Sequence, residues 1–203
     1  LFEARKLGWG ASGRNGGQLG IGMRKDQREI EKKLGFNHAR ELWKIGLEAV
    51  NESKKLISEY SISCNIIKGV VSAGFYKKNK DKFLFDIDHM MKHYSFDGYK
   101  ILNKNEIQEE INTGIYHSGL LNTFSYHINP LKFLLGLANE LTKLKVKIYE
   151  NTPITKILND PNGVKVFANS KIIKSRKVIV GCNGYLDKLL GNISNKFMQI
   201  NNY

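Results

Sequence analysis

The hydrophobic positions of this chain follow helical spacing in some stretches and strand-like runs in others. Apolar residues recur three or four positions apart over residues 26–60, which predicts one long helix or two consecutive helices with a break at 35–37. A second helix is predicted over 80–93. A short one is predicted over 103–111, where Glu106 stands at the position that a capping box requires.

The second half of the chain has sharper boundaries. Asn129 can cap a helix that begins at Pro130, because the N–H that proline lacks would be unpaired at that position. Apolar residues from Leu131 to Leu141 form one face of this helix. A turn at 160–163 joins two strands into a hairpin. The predicted strands cover residues 64–68, 70–76, 115–124, 146–149, 153–158, 164–168 and 177–180. This alternation indicates an α/β chain with a mixed α+β middle third.

A glycine-rich segment at residues 8–18 follows a short apolar run that ends at the acid Glu3. Five of its eleven residues are glycine, which adopts positive φ and lets the backbone approach a ligand because it has no Cβ. A carboxylate at a strand end is the group that dinucleotide-binding folds place on ribose hydroxyls. The two features together indicate a nucleotide cofactor. The alternative is a flexible surface loop, although Arg14, Asn15 and Gln18 supply polar groups that a linker does not need.

Residues 3–18 resemble the second strand and following loop of the FAD-dependent amine and D-amino-acid oxidase (DAO) superfamily, and are most similar there to gamma-glutamylputrescine oxidase-like proteins. Three later segments resemble the same family in the same order. Residues 126–131 resemble the segment that leads from the family's substrate domain back to its flavin domain. Residues 151–157 resemble its adenine-side strand, and residues 178–186 resemble its strand and turn of small residues. The family's first strand, Gly-x-Gly-x-x-Gly turn and helix precede this point, so we expect an internal fragment.

This resemblance implies an α/β fold, an incomplete Rossmann-like FAD-binding domain with an inserted α+β portion of a substrate-binding domain. The FAD-binding domain would consist of residues 1–62 and 126–203, without its N-terminal βα unit and its C-terminal part. Residues 63–125 would form part of the substrate-binding domain.

The resemblance also implies which residues bind FAD. Glu3 would bind the adenosine ribose, Ser12 and Arg14 would lie at the pyrophosphate, and residues 15–18 would approach the flavin ring. The two glycines among residues 15–18 would give the backbone room beside that ring, or else form a tight turn. An arginine can pair with a diphosphate through two hydrogen bonds, and the alternative for Arg14 is a surface position. The cofactor-binding residues implied here are Glu3, Ala4, Ala11, Ser12, Arg14, Asn15, Gly16, Gly17 and Gln18.

Four residues further along complete the implied cofactor site. Ile154 would present its backbone to the adenine, while Cys182, Asn183 and Gly184 would cover the cofactor from the other side. Cys182 has a second interpretation as a small packing residue, because nothing in the sequence marks it as an activated thiolate.

The spacing of the histidines in the sequence does not predict a metal site. His89 and His93 lie four residues apart on a predicted helix, which can place two imidazoles on one metal ion. No third ligand is near them and Lys92 between them opposes a cation, so surface positions are favoured and no metal is predicted. His117 and His127 flank an uncharged stretch, and for His127 a structural or capping role is favoured over a contact near the flavin.

The net charge of +13 raises the question of nucleic-acid or membrane partners. The basic residues are mostly lysines in small groups such as 77–82, 143–147 and 171–177, with neither an arginine-rich recognition helix nor an aromatic RNA-binding signature. Residues 111–131 contain no Asp, Glu, Lys or Arg, but their asparagines, histidines and proline argue against a membrane span. We therefore expect no nucleic-acid partner and no membrane span.

The two cysteines, Cys64 and Cys182, are far apart in sequence and lack Cys-x-x-Cys spacing. This predicts neither a disulfide framework nor a zinc site. Such cysteine usage fits a reducing, cytoplasmic compartment.

The activity implied by the resemblance is oxidation of a small-molecule amine at its carbon–nitrogen bond, with hydride transfer to FAD and reoxidation by oxygen or another electron acceptor. The substrate pocket must favour the neutral amine, and no residue is identified as the base. We expect the fragment alone neither to hold FAD tightly nor to oxidise amines, because the helix N-terminus that binds the pyrophosphate in this family would be absent.

Two alternatives stay open. The first is another DAO-superfamily enzyme, an oxidase or dehydrogenase acting on sarcosine, glycine or D-amino acids. The second is a basic nucleotide- or nucleic-acid-binding module without redox activity.

Overall fold

The computed structural model describes residues 1–186, 189–194 and 196. The chain divides into two compact units, Leu1–Trp9 with Leu141–Tyr203, and Gly10–Glu140. Helices and strands alternate along the chain, as the hydrophobic pattern predicts. The domain boundaries given above stay a prediction.

The helices follow the predicted boundaries closely. Gly35, with φ of 78°, separates two consecutive helices at the predicted break. Asn103 and Glu106 form the predicted capping box, because each side chain accepts from the backbone N–H of the other. Asn129 Oδ1 accepts from Lys132 N–H and caps the helix that begins at proline. The helices are α1 Gln27–Leu34, α2 Phe36–Glu59, α3 Asn79–Tyr94, α4 Lys104–Ile111, α5 Pro130–Lys143 and α6 Gly191–Ser194.

An antiparallel sheet of four strands lies in the unit Gly10–Glu140. Its strands are β1 Gln18–Leu19, β2 Ile67–Gly74, β3 Tyr99–Leu102 and β4 Ser118–His127. The long strand β4 pairs with β2 along one edge and with both β1 and β3 along the other. The sequence predicts two strands joined at Gly69, whereas the structure has one strand with a register shift between Lys68 and Val70. A bulge of this kind absorbs an extra residue without ending the strand.

Two buried clusters form the core of this unit. Their members are Trp43, Met90 and Phe96 in one cluster, and Ile57, Ile62 and Cys64 in the other. Gly136 on α5 lies against the second cluster, since a Cβ there would be 2.4 Å from Ile62 Cγ2. Burial raises the pKa of the Cys64 thiol, which therefore stays protonated as a packing residue.

The unit Leu1–Trp9 with Leu141–Tyr203 contains a short parallel pairing and a hairpin sheet. Phe2 and Tyr149 form a parallel bridge and their rings stack with centroids 5.3 Å apart. Tyr149 N–H donates to Leu1 O at 2.9 Å. The predicted turn at 160–163 is confirmed, and it joins the first two strands of an antiparallel sheet. The strands are β5 Ile154–Asp160, β6 Gly163–Ala168 and β7 Lys171–Ser175.

The structure corrects several predicted strands. Residues 177–180 pair with no strand in the part of the chain that is described, and Ile179 is 97% exposed. An apolar run forms a strand only where a neighbour receives its backbone hydrogen bonds. The predicted strand 146–149 is reduced to the single bridge at Tyr149. The strand predicted over 115–124 is β4, which begins and ends three residues later.

Candidate cofactor site

Glu3 lies half-buried where the N-terminal segment leaves its parallel pairing. Its N–H donates to Tyr149 O at 2.9 Å, and its carbonyl accepts from Thr152 N–H at 2.8 Å. Oε1 accepts from Arg5 N–H at 2.8 Å, whereas Oε2 has no protein donor among the described residues. The backbone of Glu3 is thus fixed on both sides while one carboxylate oxygen can accept from hydroxyl groups. Ala4 is exposed beside it.

Glu150 holds the start of the glycine-rich segment, a role that the sequence pattern did not reveal. Its Oε2 accepts from Lys6 Nζ and its Oε1 from Leu7 N–H, at 2.8 Å and 2.7 Å. The hydrogen bond from Lys6, followed by the one from Leu7, lowers the pKa of Glu150. The signal for this residue was an acid directly after a predicted strand, which is the pattern that drew attention to Glu3.

The residues expected at the pyrophosphate form a tight 3-10 turn. Ala11–Gly13 is a single 3-10 turn that Arg14 closes with a hydrogen bond from its N–H to Ala11 O at 3.2 Å. The side chains of Ser12 and Arg14 are exposed. A hydroxyl and a guanidinium in this position are both donors that suit a phosphate oxygen.

Asn15 fixes the path of the glycine-rich segment through its own side chain. Its Nδ2 donates to the carbonyl oxygens of Ala11 and Ser12 at 3.0 Å and 3.1 Å. Its Oδ1 accepts from Gly17 N–H at 2.8 Å. Both ends of the amide are therefore bonded to nearby backbone, which is a typical use of asparagine in turns.

Contacts with the rest of this chain explain why position 17 is a glycine. Its φ is 71°, and a Cβ there would lie 2.0 Å from Ile128 O and 3.2 Å from Pro130 Cδ. Its carbonyl also accepts from Ile128 N–H at 2.9 Å. The side of Gly17 that a Cβ would occupy is filled by protein, which matches the tight-turn alternative. At Gly16 a Cβ would meet only the side chain of Gln18, at 3.5 Å.

The remaining predicted cofactor residues, Ile154 and 182–184, belong to the unit Leu1–Trp9 with Leu141–Tyr203. Ile154 is half-buried at the start of β5 and pairs with Ala168. Cys182 is half-buried, and its carbonyl accepts from Tyr185 N–H at 2.9 Å. Asn183 adopts a φ of 48°, and it begins a 3-10 helix, Asn183–Leu186, that includes Gly184.

An aromatic contact in the same unit was missed by the sequence reasoning. The rings of Trp9 and Tyr185 have centroids 5.9 Å apart, and the guanidinium of Arg5 lies 5.0 Å from the Trp9 ring centroid. Both aromatic residues adjoin segments predicted to bind the cofactor. Their contact therefore holds two side chains beside those segments against each other.

The predicted cofactor residues fall into two sets, each described within its own unit. Glu3, Ala4, Ile154 and residues 182–184 belong to one unit, and residues 11–18 belong to the other. Their chemistry suits a dinucleotide, since the first set offers a carboxylate for hydroxyls and the second offers donors for phosphates. That these residues bind FAD stays a prediction.

The two histidines of α3 differ from each other. His93 is exposed as predicted, whereas His89 is half-buried and its Nε2 lies 2.8 Å from Glu31 Oε1. Within residues 1–186, 189–194 and 196, no group of three His, Cys, Asp or Glu side chains could hold a metal ion. No helix in this described part is long and apolar enough to cross a membrane.

Comparison with known proteins identifies the class to which this fold belongs. The family model of DAO, described as FAD dependent oxidoreductase, matches residues 1–201. A Haemophilus influenzae protein named "Probable oxidoreductase OrdL" is 29% identical over 93% of this chain and 44% of its own length. Gamma-glutamylputrescine oxidoreductase of Escherichia coli is 30% identical over 98% of this chain and 46% of its own length.

A solved structure supports the same fold. The crystal structure of glycine oxidase from Bacillus cereus superposes with a TM-score of 0.69 at 17% identity, covering 95% of this chain and 50% of that one. The chain belongs to the DAO family of FAD-dependent oxidoreductases, and FAD is the cofactor of that family. The predicted α/β fold, an incomplete FAD-dependent oxidase fold, is thereby confirmed. The chain spans about half the length of the curated relatives it matches.

Proposed function

We propose that this chain is part of an FAD-dependent enzyme that oxidises a small-molecule amine at its carbon–nitrogen bond. The observation that carries the proposal is the match of residues 1–201 to the DAO family together with 30% identity to an oxidoreductase named for gamma-glutamylputrescine, an amine. FAD, when bound, supplies the acceptor for the hydride, and oxygen or another electron acceptor then takes up the electrons.

Glu3 and Ile154 hold the adenosine end of the cofactor in this proposal. The Glu3 backbone is fixed by hydrogen bonds to Tyr149 and Thr152, and its Oε2 accepts from the ribose hydroxyls. Ile154 opens the edge strand β5, where backbone groups at a strand end can face an adenine.

Ser12 and Arg14 bind the pyrophosphate. Both side chains are exposed, with Ser12 on the turn Ala11–Gly13 and Arg14 directly after it. Arg14 offsets the negative charge and offers two parallel N–H donors, which is the geometry that suits a phosphate.

Residues 15–18 and 182–184 position the flavin end. Asn15 sets the backbone through three hydrogen bonds, with Ala11, Ser12 and Gly17, so this segment is ordered before a ligand arrives. Residues 182–184 cover the cofactor with small side chains. The substrate amine donates hydride only when neutral, so the pocket stabilises the deprotonated amine.

We further propose that the 203-residue chain by itself binds FAD weakly and does not turn over amines. It covers only 46% of the length of the Escherichia coli gamma-glutamylputrescine oxidoreductase. A cytoplasmic location is supported by two cysteines that form no disulfide.

The proposal is tested with protein expressed from the complete reading frame that contains this chain. Purified protein should show flavin absorption bands, and γ-glutamylputrescine or a related primary amine should give aldehyde and reduced acceptor. Turnover of sarcosine, glycine or D-amino acids in place of such amines would assign the protein to another branch of the family. Salt-sensitive DNA binding without flavin would contradict a redox role.

A further inference from the structure

Residues 181–185 belong to the unit Leu1–Trp9 with Leu141–Tyr203 and follow a stretch without strand pairing. Residues 177–180, directly before them, pair with no strand in the part of the chain that the structure describes. A Cβ at Gly181 would meet nothing within 4 Å, so the space beside that position is open. Sheet pairing therefore does not hold the three predicted cofactor residues that come next, 182–184.

A hydrogen bond from Tyr185 closes the turn formed by residues 182–184. Asn183 adopts a φ of 48°, in the left-handed region that asparagine tolerates better than most residues. Tyr185 N–H donates to Cys182 O at 2.9 Å across this turn. Because the Tyr185 backbone is bonded to the turn, a contact that holds the Tyr185 side chain also restricts residues 182–184.

The side chain of Tyr185 packs against Trp9. Their ring centroids are 5.9 Å apart and the ring planes are inclined at 57°. Trp9 is 43% exposed and Tyr185 is 50% exposed, so each residue has about half of its surface covered by protein. The guanidinium of Arg5 lies 5.0 Å from the Trp9 ring centroid. The Trp9 ring thus contacts both an aromatic ring and a cation, and each contact is favourable.

Trp9 follows residues that hydrogen bonds fix to the rest of the unit. Leu7 N–H donates to Glu150 Oε1 at 2.7 Å. Arg5 N–H donates to Glu3 Oε1 at 2.8 Å, so the residue whose guanidinium contacts the Trp9 ring is also bonded to the acid predicted to bind ribose. Trp9 therefore belongs to a segment that two acids of the unit hold in place.

We infer that Trp9 and Tyr185 are positioning residues for the cofactor, because their contact holds residues 182–184 in the conformation that covers it. This inference rests on the proposed function, in which residues 182–184 bind FAD. Glycines at 181 and 184 would otherwise give this segment many conformations. A segment that is ordered before the ligand arrives loses less conformational freedom on binding, so the aromatic contact raises the affinity for FAD.

A double-mutant cycle on FAD binding tests this contact. Protein from the complete reading frame is stripped of FAD, and fluorescence titration measures its affinity for added FAD. Trp9→Leu and Tyr185→Leu should each weaken binding about fivefold, which is roughly 1 kcal/mol and the size expected of an aromatic pair. The double variant should also bind about fivefold more weakly, instead of about twenty-fivefold, because the second change removes a contact that is already lost.

Two further variants separate positioning from the general loss of an aromatic side chain. Tyr185→Phe keeps the ring and should bind FAD as the parent protein does. Tyr76→Leu removes a similarly exposed tyrosine that contacts the ring of Phe75, with centroids 5.1 Å apart, and it should leave FAD affinity unchanged. Urea unfolding measures the stability of each variant separately. A purely structural contact would lower the free energy of unfolding and leave FAD affinity unchanged.

Three results would overturn the inference. These are additive losses in the double variant, unchanged FAD affinity in both leucine variants, and an equal loss in Tyr76→Leu. Each of them, in a parent protein that binds FAD, contradicts the positioning role and leaves the proposed function standing. A parent protein that does not bind FAD contradicts the proposed function, and this inference with it. If Trp9→Leu does not fold, the comparison of Tyr185→Leu with Tyr185→Phe decides alone.

Discussion

Asn15 and Gly17 illustrate how single residues of the glycine-rich segment act on one another. The Asn15 amide bonds to the backbone on both sides, and the Gly17 backbone is pressed against Ile128. The shape of the segment is therefore set by the protein itself. A cofactor that binds to it meets a backbone that is already ordered, which lowers the entropic cost of binding.

Replacing Asn15 should weaken cofactor binding without unfolding the protein. Asn15→Ala removes three hydrogen bonds that order the segment, each worth about 1 kcal/mol at an exposed site, and we expect about a tenfold or greater loss in FAD affinity. Fluorescence titration of FAD into the apoprotein from the complete reading frame measures this. Asn37→Ala, at an exposed position of α2, is the matched control and should have no effect, and equal affinities of the two variants would refute the role of Asn15.

Gly17 and Gly20 provide a second matched pair. Gly17→Ala would place a Cβ 2.0 Å from Ile128 O at a φ of 71°, so we expect a loss of at least about 2 kcal/mol in the free energy of unfolding. Gly20→Ala meets nothing within 4 Å and should change stability by less than about 1 kcal/mol. Urea unfolding of both variants checks this, and a stable Gly17→Ala protein would mean that the segment follows another path.

Glu150 links two distant parts of the chain, because its carboxylate connects residues 6 and 7 to the segment after residue 149. Its carboxylate accepts from Lys6 and from the Leu7 backbone. The pKa of Glu150 is lowered in the fold, so its contribution is present above the usual glutamate pKa, about 4.3, and is lost as the pH falls through the lower folded value.

Glu150→Gln should therefore loosen this connection at neutral pH. Hydrogen exchange at the Leu7 amide should become faster than in the parent protein at pH 7, and the difference should shrink at acidic pH where the parent carboxylate is protonated. Glu110→Gln, at an exposed position on α4, serves as the control. A Leu7 amide that exchanges equally fast in the parent and the variant at pH 7 would rule out this role of the Glu150 carboxylate.

Elements with local signals were predictable and elements that need distant partners were not. The capping box of α4 and the proline start of α5 depend on neighbouring residues, and both are confirmed. Residues 177–180 have the composition of a buried strand, but a strand exists only where another strand pairs with it. β1 and β3 were missed for the converse reason, since pairing with β4 creates these short strands.

The candidate site was predictable to a similar extent. Glu3 and the glycine-rich segment could be proposed as cofactor-binding residues because acid, glycine and arginine occur together over a few residues, and this role stays a prediction. Glu150 binds Lys6 and Leu7, which lie 144 and 143 positions away in the sequence, so no local pattern could reveal these partners. A cavity of about 270 Å³ whose lining includes Trp43 and Met90 draws on six separate segments of the chain, so no local pattern could reveal it either.

The whole molecule should lose stability at alkaline pH. The folded pKa values of Tyr94 and Tyr99 are about 12, chiefly through burial, against an ordinary value of 10.0. Because these values are raised, the stabilising contribution is complete below pH 10.0 and is lost as the pH rises towards about 12. Tyr99→Phe should flatten this decline in urea unfolding experiments. A decline as steep as in the parent protein would show that other groups cause it.

The most direct test of the whole account is anaerobic reduction of the flavin by an amine. Protein from the complete reading frame should carry FAD, and its visible flavin band should bleach when a primary amine is added without oxygen, then return when oxygen or another acceptor is admitted. Arg14→Met should bind FAD more weakly and give a smaller bleached signal at limiting FAD. A protein without flavin, or a flavin band that no amine bleaches, would contradict the proposed amine oxidation.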